Sequence, residues 1–570
     1  MSLTLRTLTI SRAPLSLPHH LLNPNPNSPR RTHTIRPNPI ICKATDAQTR
    51  QISTSEPDGS GAAAPTRGEI FLDRHHSLEA SSFVLAGNKK DKKKTEKEKR
   101  IESVKKLSAS SIASCYGCGA PLQTSELDAP GYVDPETYAL KKKHHQLRRV
   151  LCGRCRLLSH GHMITAVGGH GGYAGGKQFV TAEELRDKLS HLRYEKALIV
   201  KLVDIVDFNG SFLARVRDLV GANPIILVVT KVDLLPKGTD LNCVGDWVVE
   251  ATMKKKLNVL SVHLTSSKSL IGVAGVLSEI QKEKKGRDVY ILGAANVGKS
   301  AFINALLKMM AEKDPVAAAA QKYKPIMSAV PGTTLGPIEI DAFLGGGKLY
   351  DTPGVHLHHR QAAVIHSEDL PALAPQSRLR GQSISSSVAS SLKRIGEENE
   401  TRDLNGYSIF WGGLARIDVL KISPLMCLTF YGPKVVPIHT VRTDLADLFY
   451  QKELGVLLTP PSRKQKTEDW TGLGTERHLQ IEFESWERPT CDVAISGLGW
   501  ITVEPIRNGH DASDLSPVEV PKELQVVIRV PKPVEIFIRP PMPLGKAGAE
   551  WYQYRELTEK EQEIRPRWYF

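Results

Sequence analysis

The middle of the chain carries short unbroken apolar runs. "PIILVVTKVD", Pro224 to Asp233, is one, and a run of this kind reads as a strand covered on both faces of a parallel sheet. "DVYIL", Asp288 to Leu292, is another; it enters the Gly-rich "GAANVGKS" and then "AFINALLKMM", where Ala301, Ile303, Leu306 and Leu307 take helical spacing. Strand, loop and helix are therefore predicted in that order. "KLYD" reads as a further strand, ending in Asp351. The longest apolar candidate for a bilayer span, "ALIVKLVDIVDF", is broken by Lys201, Asp204 and Asp207, so the chain is expected to be soluble.

Beyond about residue 404 the pattern changes. "VVPIHTV", "LQIEFE", "DVAISGLGWITVE" and "LQVVIRVPKPVEIFIRP" read as Pro-punctuated strands, the last alternating Val534, Ile536 and Ile538 with Glu535, Phe537 and Arg539. Mostly β structure with few helices is predicted there. A Ser-rich and then charged stretch, "RGQSISSSVASSLKRIGEENETRD", reads as the linker before it.

With 570 residues, 41% apolar and 24% charged, two to four globular domains are expected. The first 45 residues lack Asp and Glu but hold Arg6, Arg12, Arg30, Arg31, Arg36 and Lys43, the composition of an organellar transit peptide. The abundant Pro there favours chloroplast over mitochondrial import. That segment supplies six of the +15 net charge, and "KKDKKKTEKEKRIESVKK" supplies another six, leaving about three for the rest. The Lys run reads as a solvated linker or a single exposed helix, with nucleic-acid contact as the alternative.

Residues 137–182 hold no acidic side chain and include "KKKHHQLRRVLCGRCR", a patch suited to phosphate. Around its basic part stand two Cys-x-x-Cys pairs, Cys115 with Cys118 and Cys152 with Cys155. Two such pairs close a tetrahedral zinc site that holds together a module too small for its own core. His160 and His162 are possible substitute ligands, and redox dithiols are the alternative reading.

The candidate chemistry lies in five short elements. In "GAANVGKS" with Ala301, the backbone from Gly293 through Val297 and Gly298 curls its N–H groups around phosphate oxygens, Lys299 neutralises the β and γ phosphates, and the Ser300 hydroxyl meets Mg²⁺. "PGTT" offers Thr334 to complete the metal shell, and "DTPG" offers Asp351 for the metal and a Gly354 N–H for the γ phosphate. Upstream, Thr230, Lys231 and Asp233 form a Thr-Lys-x-Asp guanine reader, with Asp233 accepting from the base and Lys231 lying along the ring. Ser266, Ser267 and Lys268 close over the base. The base reader precedes the phosphate loop, the reverse of the usual order, so the reading is a circularly permuted P-loop GTPase: an α/β domain with helices on both faces of a parallel sheet.

Two cysteine pairs, a permuted GTPase and a C-terminal module with "SGLGW" together resemble the YqeH family, and within it the plant nitric-oxide-associated proteins. "CYGCGAPLQT", "LLSHGHMITAVGG", "DFNGSF" and "LYDTPGVHLHHR" carry the likeness over residues 109–570. The resemblance implies GTP hydrolysis coupled to assembly of the small ribosomal subunit in an organelle, with rRNA as partner and no stable homo-oligomer. It further implies a C-terminal domain similar in fold to the trp RNA-binding attenuation protein. Expected domains are a transit peptide at 1–43, a disordered linker at 44–108, a zinc module at 109–175, the GTPase at 176–370, a linker at 371–403 and the β-rich RNA- or ribosome-binding domain at 404–570.

Val355 stands where a Ras-like enzyme places its water-orienting glutamine, so intrinsic hydrolysis is expected to be slow. Asn296 stands where similar K⁺-activated GTPases help to hold the ion, or else it is a loop-stabilising amide. His356, His358, His359 and Arg360 read as switch or RNA contacts, and the aromatic and basic C-terminal tail as an RNA-stacking element or as packing on its own domain. An RNA scaffold with GTP as a structural ligand is the second reading. Nitric oxide synthesis would need flavin, reductant and haem machinery, for which no dinucleotide fingerprint is found; effects on nitric oxide are expected to be indirect.

Overall fold

The structure, a computed structural model, describes residues 113–160, 180–213, 215–327, 332–385, 404–462, 470–483, 487–506 and 523–570. The expected transit peptide and Lys-rich linker, His162 and Pro331 lie outside the described residues. Among the described residues no helix is long and apolar enough to cross a membrane.

The apolar runs, interrupted in the first by the buried Lys201, form the strands β1 (Ala197–Asp204), β2 (Ile225–Thr230), β3 (Ser261–Leu264) and β4 (Asp288–Leu292), followed by the shorter β5 (Ile338–Ile340) and β6 (Leu349–Asp351). They lie in a seven-stranded sheet whose order runs from β3 through β2, β1, β4 and β6 to β5, with β5 alone antiparallel to its neighbour. On β1, Leu198, Val200 and Leu202 face one buried cluster while Ile199 and Val203 face another, which is why the run needs no polar alternation. Neighbours β1 and β4 lead the chain in opposite directions across the sheet, and the crevice at their carboxyl ends is where ligands of open α/β sheets sit.

The alternating segments form two five-stranded antiparallel sheets. One contains β7 (Gln382–Ile384), β10 (Met426–Tyr431), β13 (Cys491–Ile495), β14 (Gly499–Pro505) and β16 (Ile536–Arg539). The other contains β8 (Tyr407–Trp411), β9 (Ala415–Lys421), β11 (Ile438–Arg442), β12 (Thr475–Glu482) and β15 (Glu523–Val530). Their inner faces share one core in which Trp411 meets Phe430 edge-on at 5.2 Å, the packing of a β-sandwich.

Three features depart from the sequence reading. β7 lies inside the expected linker 371–403 yet pairs with β10, because its Ile384 is needed to cover the sandwich core. "LQVVIRVPKPVEIFIRP" divides at the prolines into β15 and β16, which enter different sheets, and Arg539 is buried against Asp492 at 3.2 Å. The C-terminal tail packs on the GTPase sheet rather than on its own domain. Its last strand, β17 (Arg567–Tyr569), extends the GTPase sheet parallel to β3, Trp568 packs against Gly245, and Arg565 pairs with Asp246 at 2.7 Å. Trp500, Ala494 and Met542 are likewise buried in the same cluster as β1 and β2, so the boundary at 404 does not separate two cores.

Candidate nucleotide site

The phosphate loop joins β4 to the helix Lys299–Met310, and Asn296 within it adopts a left-handed φ of 62°. Lys299 is buried and donates to the carbonyls of Gly293 at 3.2 Å and Ala294 at 2.9 Å. A Cβ on Gly354 would stand 2.9 Å from that ammonium, so the second switch approaches the loop only because residue 354 has no side chain.

Three groups expected around Mg²⁺ converge. Asp351 Oδ2 accepts from Ser300 Oγ at 3.1 Å and Thr334 Oγ1 at 3.5 Å, while Asp351 Oδ1 is buried with no partner among the described residues. Burial raises the Asp351 carboxyl to about 6, against the opposing pull of Lys299 and the two hydroxyls. Burial also lowers Lys299 to about 8, with Asp351 opposing and Arg360 reinforcing. An orphaned carboxylate oxygen beside two hydroxyls fits a hard cation with oxygen ligands.

On the side expected to meet the base, Thr230 Oγ1 donates to Val297 O at 2.7 Å, tying the Thr230–Asp233 segment to the Gly-rich loop. Lys231 Nζ is held by Asp204 at 2.5 Å and by Asn296 O at 2.9 Å, which leaves its aliphatic stem to lie along a ring. Asp233 follows in a short 3-10 turn and is half-buried. The closing loop lies beside it, since Val232 N donates to Thr265 O, and Ser266 Oγ caps its own turn by accepting from Ser269 N at 3.0 Å. Ser267 is half-buried and Lys268 exposed.

A cavity of about 270 Å³ opens over the phosphate loop. Its walls include Asp204, Lys231, Asn296, Lys299, Ser300, Thr334 and Gly354, but not Asp233 or the closing loop. It also reaches Asp207, Arg360, Gly497 and Leu498. Val355 is fully buried, its backbone bonded to Gly293 and Ala295, and thus faces away from any water in the cavity. Of the basic cluster that follows, His358 is exposed, His359 bonds Gly210 O at 3.1 Å and Arg360 is buried in the cavity wall.

The four cysteine sulfurs lie within 4.8 Å of one another, all buried, and Cys118 Sγ is 3.9 Å from Cys152 Sγ. A tetrahedron with metal–sulfur bonds of about 2.3 Å needs sulfurs about 3.8 Å apart, so the cluster fits Zn²⁺. His160, at the end of the helix Gly153–Ser159, is not part of it. The module rests on the first switch: Cys118 O accepts from Leu335 N at 2.7 Å and Gly336 N at 3.1 Å, and Arg154 donates to Gly332 O at 2.8 Å. A Cβ on Gly119 would collide with Gly336 O at 2.3 Å.

Sequence reasoning passed over Asp204, Asp207 and Arg154. Asp204 and Asp207 were read only as interruptions of an apolar run, although two acids at the end of a buried strand are themselves a sign of a polar partner.

Two family models match the chain: "50S ribosome-binding GTPase" over residues 288–392 and "YqeH-like, C-terminal" over residues 426–542. NO-associated protein 1, chloroplastic/mitochondrial, of Arabidopsis thaliana is 66% identical over 568 residues, covering 96% of this chain and 98% of that one. A protein of Oryza sativa subsp. japonica named putative nitric oxide synthase is 62% identical, covering 100% and 99%. YqeH of Bacillus subtilis is 32% identical over 417 residues, covering 73% of this chain and 98% of its own length. With the base reader ahead of the phosphate loop, a four-cysteine module before them and a β-sandwich after, the chain belongs to the YqeH family of circularly permuted GTPases, in its plant NO-associated branch.

Proposed function

We propose that this GTPase is an assembly factor for the small ribosomal subunit of a plant organelle, the chloroplast first and the mitochondrion as a second destination. The observation that carries the reading is that the first switch touches one flanking module, through Cys118 and Arg154, while the segment that follows the second switch touches the other, through Gln361 N to Ser496 O at 2.9 Å. A protein whose switch regions bear on two separate surfaces is built to report nucleotide state to a large partner. The basic patch at 137–182 gives that partner's phosphates an electrostatic footing. The Arabidopsis relative's name, with the acid-free first 45 residues, supports the organelle.

In this reading Asp233 accepts from guanine N1 and N2, and Ser266, Ser267 and Lys268 close the base pocket. Backbone N–H groups from Gly293 to Ala301 hold the phosphates, and Lys299 neutralises them. Ser300, Thr334 and Asp351 hold Mg²⁺, which when bound offsets charge on the β and γ oxygens. Gly354 N–H senses the γ phosphate. With Val355 turned away, hydrolysis is slow until the ribosome or K⁺, held with the help of Asn296, stimulates it.

Asp233→Asn should move preference from guanine to xanthine nucleotides, and equal competition by ATP against the native protein would refute the base assignment. Sedimentation with separated organelle subunits should place the GTP form on the small one. Binding confined to the large subunit would overturn the subunit assignment. Lys299→Ala should fold yet leave small-subunit rRNA precursors unprocessed in a mutant plant. A scaffold using GTP structurally would show no turnover with ribosomes present. Hydrolysis should rise when K⁺ replaces Na⁺, and identical rates would remove the K⁺ role alone.

A further inference from the structure

Arg360 follows the second switch, Asp351 to Gly354, by six residues. Here it is buried and forms part of the cavity wall shared with Lys299 and Thr334. Its Nη1 donates to Ala295 O in the phosphate loop at 2.7 Å, and its Nε donates to Asp207 Oδ2 at 2.8 Å. These bonds use two of the five N–H donors of a guanidinium. The backbone is braced on either side: Glu535 N donates to His359 O at 3.0 Å and Gln361 N to Ser496 O at 2.9 Å. A buried arginine pinned by one carboxylate in an apolar core would be a strut. This one stands beside the loop that faces the phosphates, in the cavity that phosphates must enter.

We propose that Arg360 is a built-in arginine that engages the terminal phosphate of GTP during hydrolysis, with Asp207 as the positioning residue that holds it ready. In the step it serves, the oxygen of water bonds to the γ phosphorus and the bond from that phosphorus to the bridging oxygen breaks. The electron pair leaves on GDP, and the proton of water passes to the released phosphate. Charge gathers on the bridging and γ oxygens, where a planar, permanently charged donor fork is most effective. The inference rests on the GTPase chemistry and is independent of the ribosomal partner.

The test uses full-length protein in K⁺ and Mg²⁺ with three readouts: fluorescent GDP affinity, single-turnover hydrolysis, and capture of GDP by aluminium fluoride. Arg360→Ala should bind GDP within about threefold of native, lose on the order of 10³-fold in hydrolysis, and fail to capture aluminium fluoride. Arg360→Lys, which keeps charge but not the fork, should fold, bind GDP and remain impaired in hydrolysis and capture. Asp207→Asn, which retains the guanidinium, should lose less than about tenfold and still capture. Native hydrolysis and capture in both Arg360 variants would overturn the proposal. So would equal losses of GDP affinity in Arg360→Lys and Asp207→Asn, because the pair would then be a strut. Should Arg360→Ala fail to fold, the lysine and asparagine variants decide by the same criteria.

Discussion

The four-cysteine module and the C-terminal sandwich are attached to the GTPase in opposite ways. The module touches the first switch through a few hydrogen bonds to Cys118 O and from Arg154, with Ile326 packed on its small core. The sandwich is fused: Trp500, Ala494 and Met542 share a core with β1 and β2, Trp247 Nε1 donates to Pro540 O at 3.1 Å, and β17 extends the GTPase sheet. A surface joined by a few bonds to a switch can follow that switch at small cost, whereas a shared core is bistable only as a whole. The module is thus less constrained by the GTPase core than the sandwich is. The sandwich meets the cavity at the turn Ser496–Leu498, beside Gln361.

Losing the four-cysteine cluster's metal should have the largest effect. Purified protein should carry about one Zn²⁺ per chain, and Cys118→Ser or Cys152→Ser should lose it. Structural zinc is worth on the order of 10 kcal/mol to such a module, so residues 113–160 should become protease-sensitive while GDP binding persists. Metal-free protein with an intact module would end the zinc reading. Next, Trp500→Ala, at a fully buried position, should cost about 3–5 kcal/mol and lower one shared unfolding transition. If GDP binding survived melting of the sandwich, the fused-core description would fail.

Asp351 gives a smaller effect with a definite sign. Its folded carboxyl titrates at about 6 because it is buried, above the ordinary carboxylate value, so the folded state keeps a proton that the unfolded chain has already lost. Stability of nucleotide-free protein should therefore fall as pH rises from about 4 to about 6, by up to about 3 kcal/mol, and Asp351→Asn should remove that slope. Magnesium-dependent GTP affinity should run the other way, weakening as pH drops through about 6. A flat denaturation series over this range would show that the carboxylate is better solvated than its burial implies. Smallest of all, Arg154→Ala should weaken GTP over GDP by roughly fivefold, the worth of one hydrogen bond of about 1 kcal/mol, with GDP affinity unchanged. Equal loss for both nucleotides would make the module a passive brace.

Much of the nucleotide site was legible because its parts are local. "GAANVGKS", "TKVD" and "DTPG" each hold their chemistry within a few residues at the end of a strand, and unbroken apolar runs such as "PIILVV" announce those strands. The four cysteines were legible for the same reason. Asp207 and Arg360 were not, being 153 residues apart and joined only by the fold. Nor does the alternation around Arg539 show that Asp492, on the neighbouring strand, holds its guanidinium inside.

What the sequence determined alone was the set of elements and their order, since period, turn residues and motif spacing act within one element at a time. What only the tertiary structure decided was which elements share a core. The tail "RPRWYF" and the SGLGW turn carry nothing in their spacing to point at β3 or the second switch. Their partners are set by which sheet edge stands open and which cavity wall lacks a cover, and those quantities exist only after the chain has folded.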